Sequence, residues 1–135
     1  MQKSYTKTYK SNPKFLPEIE DYVFDIVKQT KISNEKLNNL EMATAEAAAN
    51  CMLHGNKNDK KKNVEVNIFI ETDKIIVKFK DEGKGFKIKN VPDPTQPENI
   101  LKTSGRGLHI MKSLLDDLKY NFTPSGTEVI LTVKF

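Results

Sequence analysis

The spacing of apolar residues changes several times along the chain, and each change marks an element. Residues 4–10 alternate weakly, with Tyr5, Lys7 and Tyr9 on one side, which predicts a short strand. SNPKFLPEIEDYVFDIVKQT then turns to helical spacing, with Ile19, Tyr22, Val23, Ile26 and Val27 on one side and Pro17 allowed in the first turn. A second helix starts after Ser33 or Asn34, both good N-caps, runs through Leu37, Leu40 and an alanine run, and should stop near Gly55. Two runs of period two follow. NVEVNIFIE places Val64, Val66, Ile68 and Ile70 on one face, KIIVKFK places Ile75, Val77 and Phe79 on one face, and Thr72-Asp73 reads as the hairpin turn between them. Lys87 to Thr103 has no clear period and is longer than an ordinary connection, as binding loops often are. GRGLHIMKSLLDDL reads as a glycine-rich turn opening a helix, with Leu108, Met111, Leu115 and Leu118 inward, and GTEVILTVKF closes the chain as a strand. The order β α α β β loop α β predicts an α+β, two-layer α/β sandwich, a mixed but mainly antiparallel sheet with helices over one face. At 135 residues one domain, 1–135, is expected, large enough for a core without disulfides or structural metal.

Composition narrows the function classes. The formal charge of +4 suits acidic or anionic partners but is too small to argue for nucleic acid, and none is expected as a direct partner. Much of the excess sits in NKNDKKKN, which reads as a solvated turn. Cys51 is the only cysteine, so no intramolecular disulfide and no zinc spacing can form. The first ten residues lack the apolar core of a signal peptide, and no run approaches the ~20 apolar residues of a membrane span. A cytoplasmic protein with no membrane partner is expected.

The alanine helix carries the first chemical signal. At about 100° per residue, Met42, Ala43, Glu46, Asn50 and Leu53 share one side, and almost every other position there is apolar or small. A helix apolar all round is buried, and a buried carboxylate or amide is costly unless paired. Either Glu46 and Asn50 hydrogen-bond within the fold, or both face a cleft, where the amide oxygen can bind a hard cation and the carboxylate can act as a general base. The second signal is DEGKGF: Asp81 ends a strand, and Gly83 and Gly85 permit close approach of a ligand to the backbone. A strand-end aspartate can accept a hydrogen bond from an exocyclic amine; a polar turn without a ligand is the plainer reading. The third is TSGRGLHIM, where Gly105 and Gly107 flank Arg106 before a helix whose free N–H groups can hold phosphate. It matches neither the Rossmann fingerprint nor a Walker P-loop.

Taken together and in order, E-x-x-x-N on a helix, D-x-G-x-G after a hairpin, and G-x-G opening a later helix resemble the GHKL (Bergerat-fold) ATPases, histidine kinases among them. EAAANCMLHGN, DEGKGF, SGRGLHIMKSLLDDL and GTEVILTV look most like the bacterial anti-sigma factor serine/threonine kinases of stress and sporulation switches. The resemblance covers residues 15–135 and implies ATP and Mg²⁺ as cofactors. Glu46 would be the general base and Asn50 the Mg²⁺ ligand. Asp81 would read the adenine amine, with Gly83 and Gly85 giving the base room and Thr127 supporting the aspartate. Gly105, Arg106, Gly107 and Leu108 would wrap the phosphates under a lid near residues 90–104. His54, one turn past Asn50, is a candidate pocket residue, although a packed or exposed histidine fits as well. The glycine of HGN serves as a helix stop regardless of function.

The implied activity is a kinase that phosphorylates a STAS-domain anti-anti-sigma protein and regulates a sigma factor by partner switching. A non-catalytic, nucleotide-responsive binding module and a component of an ATP hydrolase are the alternatives. The ~15 residues ahead of the first helix cannot hold a histidine-bearing helix pair, since each bundle helix needs several turns, so an ordinary sensor histidine kinase is not expected. Such anti-sigma proteins commonly form homodimers, for which exposed apolar residues near Tyr5–Phe15 are the candidates.

Overall fold

The computed structural model describes residues 2–83 and 111–135. In chain order the described elements are β1 (Lys3–Lys10), a 3₁₀ turn (Pro13–Phe15), α1 (Leu16–Val27), α2 (Asn34–Asn50), a π-helical turn (Cys51–Gly55), β2 (Asn63–Ile70), β3 (Lys74–Asp81), β4 (Asp117–Thr123) and β5 (Gly126–Lys134). Residues 111–114 are helical. The segment from Lys87 to Thr103, the lid near 90–104, Gly85, Gly105, Arg106, Gly107 and Leu108 lie outside the described residues.

Capping fixes where the helices begin. Asn12 Oδ1 accepts from Lys14 N–H at 3.1 Å ahead of the 3₁₀ turn, and Ser33 Oγ accepts from Lys36 N–H at 3.2 Å to open α2. Ile19, Val23 and Val27 of α1 and Leu40, Ala43, Ala47 and Ala48 of α2 are buried against the sheet. The alanines let backbone approach backbone there, while longer side chains from the strands fill the remaining volume.

The five strands form one sheet in the order β1-β2-β3-β5-β4, and every pairing is antiparallel. Register lines up the core in rows across the sheet: Val66, Phe79 and Val129, then Ile68, Val77 and Leu131, then Ile70, Ile75 and Val133. Inward positions on β3 are Ile75, Val77, Phe79 and Asp81, so the fourth member of an apolar row is a carboxylate. The opposite face carries a polar network: Thr6 Oγ1 donates to Asn67 Oδ1 (2.8 Å), Asn67 Nδ2 to Glu65 Oε1 (2.9 Å), and Lys78 pairs with Glu128 at 3.4 Å.

Three sequence expectations need correction. The helix expected to run to Leu118 is already over at 114, and β4 takes its place. Asp116 N–H donates to Thr132 O at 2.9 Å, and Leu118, Tyr120 and Phe122 alternate along a strand paired with β5. Met111 is buried, whereas Leu115 and Leu118 are partly buried against the core rather than forming a helical stripe. Secondly, α2 is not enclosed on all sides: Met42 and Leu53 are 55% and 51% exposed, with Glu46 and Asn50 half-buried between them. Thirdly, Tyr5–Phe15 is not an exposed apolar patch. Tyr9 is buried edge-on to Tyr22 with centroids 6.3 Å apart, and Tyr5 and Phe15 pack on the core. Among the described residues, no helix is long and apolar enough to cross a membrane.

Phe79 is a large, fully buried side chain at the centre of the rows. Phe79→Ala should cost about 3–5 kcal/mol, read as a lower urea midpoint at unchanged slope.

Candidate functional site

The site is built around Asp81. Its carboxylate is held where the core row of β3 runs out, with Val64 of β2 opposite it and Thr127 of β5 beside it. Asp81 Oδ1 accepts two backbone N–H bonds, from Gly83 and from Thr127, each at 3.0 Å. Thr127 therefore reaches the aspartate through its main-chain N–H. Gly126 makes this possible. Its φ of +151° lies in a region that favours glycine, and a Cβ there would fall 2.0 Å from Asp81 O.

Asp81 Oδ2 faces the end of the helix. A Cβ on Gly55 would fall 1.9 Å from Oδ2, and one on Gly83 would fall 2.0 Å from Gly55 O. The helical stretch does stop at Gly55, although not through a left-handed glycine. The positive-φ residues that turn the chain are Lys57 (52°) and Asn58 (61°), and glycine at 55 is required because the carboxylate occupies the space of a side chain. Gly55 and Gly126 escaped the sequence reading as site residues; the signals were the HGN and SGT triplets that bracket the two motifs.

Electrostatics ties the parts together. Burial is the largest influence on Asp81 and raises its pKa, while the bonds from Thr127 and Gly83 and the charge of Lys62 act to lower it. Burial, then the nearby Asp81, push the Cys51 thiol up, so it is an inert core group rather than a nucleophile. Burial also raises Tyr120, helped by Cys51 and Glu46. Asp81, Cys51, Tyr120 and Glu46 consequently form one connected neighbourhood spanning helix and sheet.

Glu46 and Asn50 are one helical turn apart and half-buried, and neither side chain hydrogen-bonds another described residue. They sit on the stripe between Met42 and Leu53, two large apolar side chains that stay exposed. His54 is exposed on the π turn. Among the described residues no cluster of three or more His, Cys, Asp or Glu side chains could cage a metal ion. A lone amide oxygen at Asn50 fits a cation such as Mg²⁺, which keeps most of its shell as water and phosphate oxygens.

Because burial raises the Asp81 pKa, the folded chain holds this proton more tightly than the unfolded chain. That stabilising contribution is fully present below the ordinary aspartate pKa of about 3.9 and is lost as pH rises through the raised value. Asp81→Asn does not titrate. Its stability relative to the native chain should grow with pH across that window and then level off, as urea unfolding of both proteins at a series of pH values would record.

Comparison with known proteins agrees with this fold. The family model described as histidine kinase-like ATPase domain matches residues 9–133. An anti-sigma F factor of Bacillus licheniformis is 29% identical over 111 residues, covering 78% of this chain and 75% of that protein. One from a Thermoanaerobacter species is 32% identical over 103 residues, covering 73% and 70%. One from Clostridium acetobutylicum is 29% identical over 133 residues, covering 90% and 91%. Among solved structures, the histidine kinase domain of a blue-light activated histidine kinase from Erythrobacter litoralis superposes with a TM-score of 0.60 at 14% identity. It matches 89% of this chain, which spans 59% of that one, and the likeness is one of fold. With the family model covering nearly the whole sequence, the chain belongs to the histidine kinase-like ATPase domain family.

Proposed function

We propose that this chain is an ATP-binding serine/threonine protein kinase of the anti-sigma factor type, working as one domain, that phosphorylates a STAS-type antagonist and regulates a sigma factor by partner switching. The observation that carries the reading is Asp81: a carboxylate at a core position, satisfied at Oδ1 by two N–H groups and walled by glycines. A purely structural role does not call for a polar acceptor at a core position, whereas hydrogen bonding to an adenine amine does. The anti-sigma assignment draws its support from relatives named anti-sigma F factor.

In this reading each residue has one task. Asp81 accepts from the exocyclic amine of adenine, and Gly83 and Gly85 leave room for the base. Asn50 would hold Mg²⁺ through its amide oxygen; when bound, the metal offsets phosphate charge. Gly105, Arg106, Gly107 and Leu108 would cradle the phosphates with main-chain N–H groups and one guanidinium. Glu46 takes the proton from the attacking serine or threonine hydroxyl as that oxygen bonds the γ-phosphorus of ATP and the bond from phosphorus to the ADP leaving group breaks. Glu46 lies one turn before Asn50, which suits a base beside the phosphates. Its retention favours a kinase over a chain that only binds nucleotide.

Transfer of labelled phosphate from ATP to a STAS-domain protein tests the reading as a whole. Asp81→Asn should weaken ATP binding by the equivalent of about 1–3 kcal/mol in calorimetry. Glu46→Gln should keep the fold and ATP affinity while slowing transfer by about 10²–10⁴-fold. Asn50→Ala should lower both Mg²⁺-dependent binding and transfer. Unchanged affinity in Asp81→Asn would remove the adenine site, and normal transfer by Glu46→Gln would leave a binding module without kinase activity.

A further inference from the structure

Asn56 has no part in the roles assigned so far, yet it is fully buried, a rare state for an asparagine side chain. Its main-chain N–H closes the π turn on Cys51 O at 2.8 Å. Its side chain reaches between two strands: Nδ2 donates to Asn63 O at 3.0 Å, and Oδ1 accepts from Glu82 N–H at 2.8 Å. The register of β2 and β3 ends at Val64 opposite Asp81, so Asn63 and Glu82 are the next pair along. In a continued ladder Glu82 N–H would donate directly to Asn63 O. The amide of Asn56 stands between those two groups and completes the same circuit at greater width. The other half of the pair is diverted in a similar way, because Asn63 N–H donates to the Glu82 side chain.

We infer that Asn56 is a positioning residue for nucleotide selectivity, a wedge that splays the ends of β2 and β3 and so aims the Asp81 carboxylate. Glu82 lies between Asp81 and Gly83. Anchoring its N–H on Asn56 sets the path of the chain to Gly83, whose N–H must return to Asp81 Oδ1 at 3.0 Å and whose Cα must lie against Gly55 O. Closure of the ladder would pull Glu82 toward Asn63 and draw Gly83 away from both. The same residue ties helix to sheet, since the π turn that Asn56 ends also presents Gly55 to Oδ2. This inference rests on Asp81 recognising the adenine amine.

The test compares ATP with purine riboside triphosphate, which carries hydrogen in place of the amine and so cannot use Asp81. In the native chain ATP should be preferred. Asn56→Ala should cut that preference by about tenfold, through weaker ATP binding and with affinity for the purine analogue nearly unchanged. Asn56→Asp keeps the acceptor for Glu82 N–H and loses the donor to Asn63 O, so its preference should fall between the two. In an Asp81→Asn background, Asn56→Ala should have no further effect on ATP. A general loosening of the fold would weaken both nucleotides alike. A folded Asn56 variant with the native preference overturns the wedge alone, as does unfolding of both variants, which would make Asn56 a fastener of the fold. A native chain that binds ATP no better than the analogue overturns the adenine reading and this inference together.

Discussion

A carboxylate placed in line with a hydrophobic row is the constraint to which the rest of the structure answers. Ile75, Val77 and Phe79 point into the core, and Asp81 continues their phase. An ionised group so placed is costly unless donors meet it. The donors come from parts of the chain far apart in sequence: Gly83 just beyond, Thr127 across the sheet, and Lys62 by charge. Because β5 pairs directly with β3, the Thr127 N–H arrives without a dedicated loop. The sheet order and the site are in this sense a single arrangement.

Meeting the charge demands close approach, and close approach demands missing side chains. Three glycines from three segments pack with backbone where Cβ atoms would lie at 1.9 to 2.0 Å from their neighbours. The π turn serves the same end. Hydrogen bonding that reaches back five residues, from Asn56 N–H to Cys51 O, widens the helix and swings Gly55 toward the sheet. Lys57 and Asn58 then absorb the reversal in left-handed conformations.

The elements legible in the sequence were those with one unambiguous period. The two helices, the β2–β3 hairpin and the final strand all follow their apolar spacing, and the Glu46, Asn50 and Asp81 motifs stood out because polar groups interrupt that spacing. β4 was hidden because Leu115 and Leu118 extend the helical spacing of Leu108 and Met111, while Leu118, Tyr120 and Phe122 equally begin an alternation. Tertiary pairing with β5 decided for the strand, and Tyr120 and Phe122, stacked with centroids 6.5 Å apart, are at home there. The helical stretch ends at Gly55 as expected, but why that residue is glycine depends on a carboxylate from another element, beyond the reach of any local pattern. Asn56 was invisible for a related cause: its partners belong to strand ends, and no local pattern announces them.

β1 has a consequence for the order of assembly. Among the described residues β1 pairs only with β2, Lys3 opposite Ile70 and Lys10 opposite Asn63. On a growing chain its partner in the described sheet appears only after both helices, when β2 is synthesised. The ring of Tyr9 belongs beneath α1 and finds cover only when that edge closes. Lysines at positions 3, 7 and 10 suit such a delay, since a charged strand is a poor template for pairing with its own copies. The edge of the sheet is thus the part of the fold most exposed to the speed of synthesis, and a late, long-range closure of this kind slows folding even where the finished sheet is well ordered.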